Sequence, residues 1–422
     1  MNKISNYSGK LIILWIFLAT VFIVLLLCIR RIPSESVLRN VETSLEIMAE
    51  EGDFPKTMGI NSIFFQKNNC SDALMIGATI CDIDTLTDFQ NLLCAPVFPS
   101  FETSESVSEG QLLQMNNSVP PNYIIYGRYW HGYLLFLKPL LSFVDIRYIR
   151  LINIILIYSL LIYNTILLYK KINIFSGFLF FLANIIVGIV TLPLTIHFFT
   201  CFFIMHLAVA IILQLPREWL VSYQRMGLFF FIIGSLTVFF DLLTIPLITF
   251  TIPSGVLLLK LNKWPSSRLV LLVSSMWALG YGGLWLTKWI IAQIFTDFNM
   301  IQNAIGSVNF HSSNVLYDSE TGTFTHFRFL ILFLCALISF IVSIYLISKS
   351  RLYGPNLKKY YNLATLGWIP VLWIFAFQTH SFWHEWFVWR LSIGFIFNIG
   401  LFYYYTIKRP DSNEAKYYTI YE

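Results

Sequence analysis

Long apolar stretches dominate the chain and alternate with short polar connections. A helix that crosses a membrane needs about 20 mainly apolar residues. Ten stretches approach this length, namely 11–29, 149–169, 174–191, 196–214, 226–240, 244–260, 268–295, 327–348, 361–378 and 387–407. The pattern therefore predicts an all-α, polytopic transmembrane helix bundle of about ten spans.

The first apolar stretch begins like a secretory signal but does not end like one. It follows Lys3 and Lys10, and its long apolar run ends at Arg30 and Arg31 without a small-residue cleavage site. Residues 1–29 are therefore expected to be a retained first span. The rest of the transmembrane bundle is expected over residues 147–407.

The distribution of Lys and Arg predicts the orientation of the bundle. Basic residues gather in alternate connections, whereas the turns 191–197, 240–246 and 379–386 contain almost none. Cytoplasmic loops carry the excess of Lys and Arg. Both termini, including the polar tail 408–422, are therefore expected in the cytoplasm, and the protein is expected to be a multi-pass protein of the plasma membrane.

Residues 30–125 then form a large first extracytoplasmic loop, which is too long to lack structure of its own. Within it, the stretch 36–51 is predicted to be an amphipathic helix. Its apolar stripe consists of Val37, Val41, Leu45 and Met48. An extracytoplasmic location also permits a disulfide among Cys28, Cys70, Cys81 and Cys94, although the spacing does not define the pairing.

Composition supports a membrane protein and argues against a nucleic-acid partner. The chain of 422 residues is 57% hydrophobic and 12% charged, and soluble proteins carry about 25% charged residues. Its mean hydropathy is +0.67. The net charge of +5 is accounted for by basic cytoplasmic loops, so the expected partner is membrane lipid rather than nucleic acid.

Residues 126–146 are predicted to form an amphipathic helix that lies in the membrane interface. Read as a helix, His131 and Lys138 share one face, and Trp130 and Leu134 share another. Such a helix turns its cationic side toward water or phosphate. The alternative is a simple anchor whose basic side chains reach the lipid headgroups.

Ionisable residues gather at the predicted outer ends of the spans. A charge at the centre of a membrane costs about 2.5 kcal/mol or more, so it usually has a partner or a function. The candidate ligands of a phosphate group are Arg128, His131, Lys138, His380, His384 and Arg390, with Asp241 and Lys288 as further pocket residues. We expect this set to converge on one crevice, whereas His311, in a polar loop, is expected to be inert.

Each of these residues also has a structural interpretation. Asp241 is well placed to cap the next helix, and Lys288 lies between two tryptophans as an interfacial anchor would. In the loop, Asp72, Asp82 and Asp84 are candidate general bases. Asp72 is equally suited to cap a short helix.

A carboxylate beside fixed cations at the lipid boundary suits sugar transfer from a polyprenyl phosphate. Preorganised Arg, Lys and His side chains stabilise the charge that develops on the leaving phosphate. A carboxylate accepts the proton of the acceptor hydroxyl. The predicted function is therefore a polyprenyl-phosphate-sugar-dependent glycosyltransferase that acts on a cell-surface glycan.

The layout resembles the GT-C superfamily of integral membrane glycosyltransferases. The shared features are a first span, a large first outer loop with acidic residues, an interfacial stretch (YGRYWHGYLLFLKPLL) and a multi-span bundle. The stretches FDLLTIPLITFTIP and HSFWHEWFVWR are also similar to bacterial multipass proteins of surface-polysaccharide loci. The resemblance implies a polyprenyl-phosphate-linked sugar donor, a glycan or lipid-linked acceptor and an outward active site.

Many GT-C enzymes carry an acidic pair early in the first loop, and the nearest equivalents here are Asp72 and the pair Asp82 and Asp84. Some related enzymes hold a divalent metal beside that pair. For this chain the sequence assigns no cofactor and no metal ligands, and it leaves a divalent metal open.

Two other functions fit the same features. A polysaccharide polymerase or ligase also uses a polyprenyl carrier, but such proteins usually place the large outer loop later in the chain. A lipid-linked sugar transporter or flippase would be expected to show paired repeats and helices broken at the bilayer midplane. The chain shows no repeat, and its charges lie at the predicted outer rim.

Overall fold

A computed structural model describes residues 2–57, 65–98, 104–116, 123–261, 267–313, 317–318, 323–324 and 327–407. The fold is all-helical, as predicted. Short antiparallel strand pairs join β1 (Pro96–Val97) to β2 (Ile124–Ile125) and β3 (Tyr317–Asp318) to β4 (Thr323–Phe324). The predicted cytoplasmic tail 408–422 lies outside the described residues.

The helices follow the order predicted from the apolar stretches. Helix α1 (Asn2–Arg30) precedes the four helices of the polar loop, which are α2 (Glu35–Glu51), α3 (Asn69–Gly77), α4 (Asp88–Cys94) and α5 (Val107–Met115). Helix α6 (Leu134–Leu141) leads into the bundle. The bundle helices are α7 (Ile146–Lys171), α8 (Ile174–Ile186), α9 (Ile196–Gln214), α10 (Arg217–Leu220), α11 (Tyr223–Phe240), α12 (Ile248–Leu261), α13 (Ser267–Phe295), α14 (Met300–His311), α15 (Phe327–Ser348), α16 (Ser350–Ala376), α17 (Gln378–Trp383), α18 (Glu385–Val388) and α19 (Ser392–Ile407).

Among the residues that the structure describes, six helical segments are long and apolar enough to cross a membrane. They are Tyr7–Arg30, Ile146–Lys171, Ile196–Gln214, Tyr223–Phe240, Ser267–Phe295 and Glu385–Ile407. Some other apolar helices in the described part of the chain are shorter. For example, α8 has 13 residues and so reaches only about 20 Å, whereas the hydrocarbon core is about 30 Å thick. A membrane protein is therefore supported, and the count of ten spans and the orientation stay predictions.

The centre of the bundle depends on close contact between α11 and α13. A Cβ atom built on Gly234 would lie 2.2 Å from the Trp277 carbonyl oxygen, and one on Gly280 would lie 2.2 Å from that of Phe231. Small residues allow two helix backbones to approach in this way. A larger side chain at either position would push the two helices apart.

The polar loop folds against the bundle around its own apolar core. The predicted stripe of Val37, Val41, Leu45 and Met48 is fully buried on α2, so this helix is confirmed. The stripe joins one hydrophobic cluster with residues of α6 and with the first turn of α7. The loop is thus a structured layer on one end of the bundle.

Two expectations for this region need correction. The helix expected over 126–146 is limited to α6, and residues 126–133 form an irregular segment in which His131 has φ of +59°. A left-handed residue cannot continue an α-helix, so His131 and Lys138 do not share a helical face. The disulfide is not formed either, because all six cysteines are free thiols.

A buried polar network ties the loop to the start of α7. The guanidinium of Arg150 donates to both carboxylate oxygens of Glu51, each at 3.0 Å, and to the side-chain oxygen of Asn69 at 3.0 Å. Lys67 forms a second ion pair with Glu51 at 2.6 Å. Burial alone would raise the pKa of Glu51, but the hydrogen bonds and charges of Arg150, Lys67 and Asn69 outweigh it and lower this pKa to about 2.

We predict that Arg150→Ala destabilises the protein by about 2 kcal/mol, because it removes charge-assisted hydrogen bonds and leaves Glu51 and Asn69 short of a donor. Thermal unfolding in detergent measures the change. Arg147→Ala is the matched control, because Arg147 lies on the same helix with its side chain 65% exposed and should matter by less than about 0.5 kcal/mol.

The same network predicts a dependence on pH. Because the pKa of Glu51 is lowered on folding to about 2, its stabilising effect is complete above its unfolded pKa of about 4.3 and is lost as the pH falls toward 2. The loss of stability between pH 5 and 2 should be smaller in Arg150→Ala than in the wild type. An equal loss in both proteins would contradict this assignment.

Candidate functional site

A partly open cavity lies where the end of α1 meets the polar loop and α6, and the roughly 510 Å³ of empty space there includes open solvent. Its apolar lining includes Leu26, Leu92 and Trp130, and its polar lining includes Arg30, Asp82, His131 and Lys138. Three of the predicted site residues therefore share one cavity with Arg30, which the sequence marked only as the end of the first span. We call this cavity the α1 pocket.

Lys138 is the unusual residue of the α1 pocket. It is only 5% exposed, and no hydrogen bond or ion pair among the described residues involves its ammonium group. Burial and the nearby charge of Arg30 lower the pKa of Lys138, and Glu35 opposes this shift. An ammonium group in this position gains most from an anion that enters the pocket.

Arg30 and Asp82 form an ion pair at the rim of the same pocket. The Arg30 side chain is 13% exposed, and that of Asp82 is 45% exposed. Asp82 is thus the one carboxylate of the three candidate bases that both lines the pocket and reaches solvent. Asp84 is also exposed, but it does not line the pocket.

His131 is held as a neutral imidazole at the back of the pocket. Its Nε2 lies 2.9 Å from the Tyr126 carbonyl oxygen, and its Nδ1 lies 2.8 Å from the Tyr133 hydroxyl. A carbonyl only accepts, so Nε2 carries the proton and Nδ1 accepts from Tyr133. Burial lowers the pKa of His131 to about 3, so the ring supplies shape and polarity there but no positive charge.

Asp72 caps a helix of the bundle from the loop. The side chain is fully buried, and its two oxygens accept the backbone N–H groups of Ile196 and His197, each at 3.0 Å, at the start of α9. Asn68 adds a contact between its amide nitrogen and His197 Nδ1 at 3.1 Å. Burial nevertheless raises the pKa of Asp72 to about 7. This geometry favours the structural interpretation of Asp72 over that of a general base.

Asp241 and Lys288 also have protein partners. The Asp241 carboxylate accepts from the Thr244 backbone N–H at 2.9 Å and from the Tyr281 hydroxyl at 3.4 Å, and so stabilises the turn after α11. Lys288 Nζ donates to the carbonyls of Leu92 and Leu93, at 2.9 and 3.1 Å, at the end of α4. Lys288 therefore connects α4 of the polar loop to α13 through hydrogen bonds.

The other predicted cations lie in a second region, around the turn between α16 and α19. His380 and His384 are one helical turn apart, because the His384 N–H donates to the His380 carbonyl at 3.0 Å. His311, at the end of α14, completes a cluster in which one ligand nitrogen of each ring lies within 4.8 Å of the others. His311 therefore lies at the end of a helix and beside two other histidines, and whether it is inert stays untested.

Hydrogen bonds between neighbouring residues hold this histidine cluster together. The Thr379 hydroxyl donates to the Ser313 carbonyl at 2.8 Å and also contacts the Ser313 hydroxyl at 2.5 Å, which joins the end of α14 to α17. Burial, and then the other histidines, hold the pKa of His380 well below its usual range. Burial lowers the pKa of His384 to about 4, so both rings are neutral near pH 7.

Arg390 lies beside this region and is fully buried. The centre of its guanidinium group is 4.4 Å from the ring centroid of Phe198, and it donates to the Trp386 carbonyl. Its Nε and Nη2 atoms have no hydrogen-bond partner. Arg390 does not line the α1 pocket, so the predicted site set is divided between two places.

A second, partly open cavity adjoins the histidine cluster, and the roughly 370 Å³ of empty space there includes open solvent. It is lined by Arg128, Trp285, Trp289 and His311, among others. The Arg128 carbonyl accepts from Trp289 Nε1 at 2.9 Å. The guanidinium group of Arg128 lies 4.4 Å from the ring centroid of Tyr126. We call this second space the Arg128 cavity. Residues 128–131 thus contribute to both cavities.

No known protein family matches the chain, and no curated protein or solved structure is similar to it. The GT-C resemblance is therefore neither supported nor contradicted by known proteins. The evidence for a function therefore lies in the α1 pocket and in the histidine cluster with the Arg128 cavity.

The sequence contained a signal that His311 lies on the same side of the bundle as His380 and His384. His311 lies in the connection 296–326, which the Lys and Arg distribution places on the same side as the turn 379–386 that holds His380 and His384. Topology alone brings the two connections to one face of the bundle. Only the packing of α14 against α17 brings the rings together.

We predict that Asp72→Ala lowers stability by about 1–2 kcal/mol, because the N–H groups of Ile196 and His197 lose their acceptor. Asp84→Ala, which removes an exposed carboxylate from the same loop, should change stability by less than about 0.5 kcal/mol. Thermal unfolding of both purified variants compares them. If Asp72→Ala keeps wild-type stability but loses activity, Asp72 is a catalytic group rather than a cap.

Proposed function

We propose that the protein transfers a sugar from a polyprenyl-phosphate carrier to a cell-surface glycan on the outer face of the plasma membrane. The α1 pocket is the proposed donor site. The single observation that carries the proposal is that Lys138, although only 5% exposed, has an ammonium group with no protein partner among the described residues and lines the same pocket as Arg30. Two cations in the lining of a partly apolar pocket favour a ligand that is anionic at one end and apolar at the other.

The chemistry follows from the positions of these charges. The bond between the anomeric carbon of the sugar and the phosphate oxygen breaks, and the electron pair leaves with the polyprenyl phosphate. Lys138 and Arg30 stabilise the charge that develops on this leaving group. The oxygen of the acceptor hydroxyl forms the new bond to the anomeric carbon, and its proton passes to a carboxylate.

Asp82 is the carboxylate that best fits the role of this base. It lines the pocket, is partly exposed and pairs with Arg30. When a phosphate group binds Arg30, it competes with Asp82 for the guanidinium. Asp82 then becomes available to the acceptor hydroxyl at the same moment that the donor is bound.

Binding of the carrier tests the donor site. The full-length protein in lipid nanodiscs should bind a polyprenyl phosphate more tightly than the matching polyprenol. Arg30→Ala and Lys138→Met should each lower the affinity for the phosphate about 10-fold or more, because a hydrogen bond to a charged group contributes about 1.5–3 kcal/mol. Neither change should affect polyprenol, and Lys138→Met keeps the length of the apolar stem.

Arg31→Ala is the matched control, because Arg31 adjoins Arg30 in the chain but is exposed and does not line the pocket. Asp82→Asn should retain phosphate binding and lose sugar transfer in cells. If wild type and both cation variants bind the phosphate and the polyprenol equally, the donor site is wrong. If the strain without the protein loses polymer length rather than one sugar, the polymerase or ligase alternative is favoured.

A further inference from the structure

The histidine cluster offers lone pairs that the protein itself does not use. His311 Nδ1, His384 Nδ1 and both ring nitrogens of His380 are buried without a hydrogen-bond partner. A buried polar atom without a partner costs about 1–3 kcal/mol. Four such atoms in one cluster therefore need an explanation, and a shared ligand provides one.

We propose that His311, His380 and His384 bind a transition-metal ion of the zinc class. Three neutral imidazoles form a ligand set that suits Zn²⁺ and its first-row neighbours. This inference does not depend on the proposed glycosyl transfer, because none of the three rings lines the α1 pocket.

The spacing requires only a small adjustment of the side chains. A tetrahedral Zn²⁺ with bonds of about 2.0–2.1 Å holds its ligand nitrogens about 3.3 Å apart. The three nitrogens here lie within 4.8 Å of one another, and the ring centroids of His380 and His384 are 4.9 Å apart. Rotation of the rings by about 1 Å at the nitrogens closes the site, with the backbone in place.

The remaining ring nitrogen of a ligand usually donates to a nearby carbonyl or carboxylate. The backbone of Thr244 lies beside His380 and interacts with its ring, although the geometry does not amount to a full hydrogen bond. Once one nitrogen binds the metal, the other is the protonated one and faces that backbone. The turn held by Asp241 thereby supports the metal site.

His311 is part of the lining of the Arg128 cavity, so a fourth ligand would reach the ion from this cavity. Three protein ligands and one open position are the arrangement of zinc sites that bind water or substrate. Arg128 adds a positive charge to this cavity, which favours an anionic oxygen as the fourth ligand. The site therefore suits a metal-bound hydroxide, carboxylate or phosphate oxygen.

Metal binding by the full-length protein in detergent tests the proposal. After removal of bound metal with a chelator, titration with zinc chloride should show one strong site per chain. His311→Ala, His380→Ala and His384→Ala should each weaken it by more than about 100-fold, which exceeds the effect of losing a supporting residue. His206→Gln is the matched control, because His206 is another buried histidine with an unpartnered nitrogen, located within α9.

Two further measurements keep the result interpretable. Zinc should raise the unfolding temperature of the wild type and of His206→Gln, but not of the three cluster variants, whose metal-free unfolding temperatures report whether they fold. Co²⁺ in place of zinc should give the visible spectrum of nitrogen and oxygen ligands. A thiolate charge-transfer band, no strong site in the wild type, or equal loss in His206→Gln would overturn the proposal.

Discussion

Buried polar groups at one end of the bundle need partners, and the polar loop supplies them. Asp72 of the loop accepts the first amides of α9, Lys288 of α13 donates to the last carbonyls of α4, and Arg150 of α7 binds Glu51. Each contact satisfies a charge or helix end that would be costly to bury alone. The position of the loop on the bundle therefore depends on electrostatic satisfaction as much as on apolar packing.

Once the loop is in place, two groups of polar side chains that lack protein partners mark the two candidate sites. Lys138 retains an unpaired ammonium group in the α1 pocket, and the histidine cluster retains unpartnered ring nitrogens near the Arg128 cavity. Both groups are fixed on short helices next to the bundle. Polar atoms without a hydrogen-bond partner are unfavourable inside a protein. Their presence at these two sites is therefore a physical argument for a bound ligand.

The irregular segment 126–133 links the two sites. Arg128 lines one cavity, whereas Trp130 and His131 line the other. Its backbone is held by Trp289 and by the ring of His131, so the segment is supported on several sides. A ligand in one cavity thus contacts a segment that also borders the second, and the two sites share a wall.

The local pattern of residues was sufficient to predict the main helices. The apolar runs predicted α7, α9 and α13 to within a few residues and the end of α1 to within one, and the stripe on α2 was confirmed. Hydrophobicity and helical period are properties of a short stretch, so they can be read without knowledge of the fold. The irregular backbone at His131 could not be read in this way, because the neighbouring Gly132 N–H donates to the Phe239 carbonyl of a distant helix.

The chemical roles were decided by tertiary structure alone. Asp72, Asp82 and Asp84 looked equivalent in the sequence, but only Asp82 pairs with Arg30 at a cavity, whereas Asp72 caps α9. His311 was expected to be inert, but the packing of α14 against α17 brings it next to His380 and His384. The sequence by itself determined which residue types gather at one end of the bundle. Only the fold decided which of them lose water and which gain a partner, because desolvation and pairing depend on neighbours that are distant in the chain.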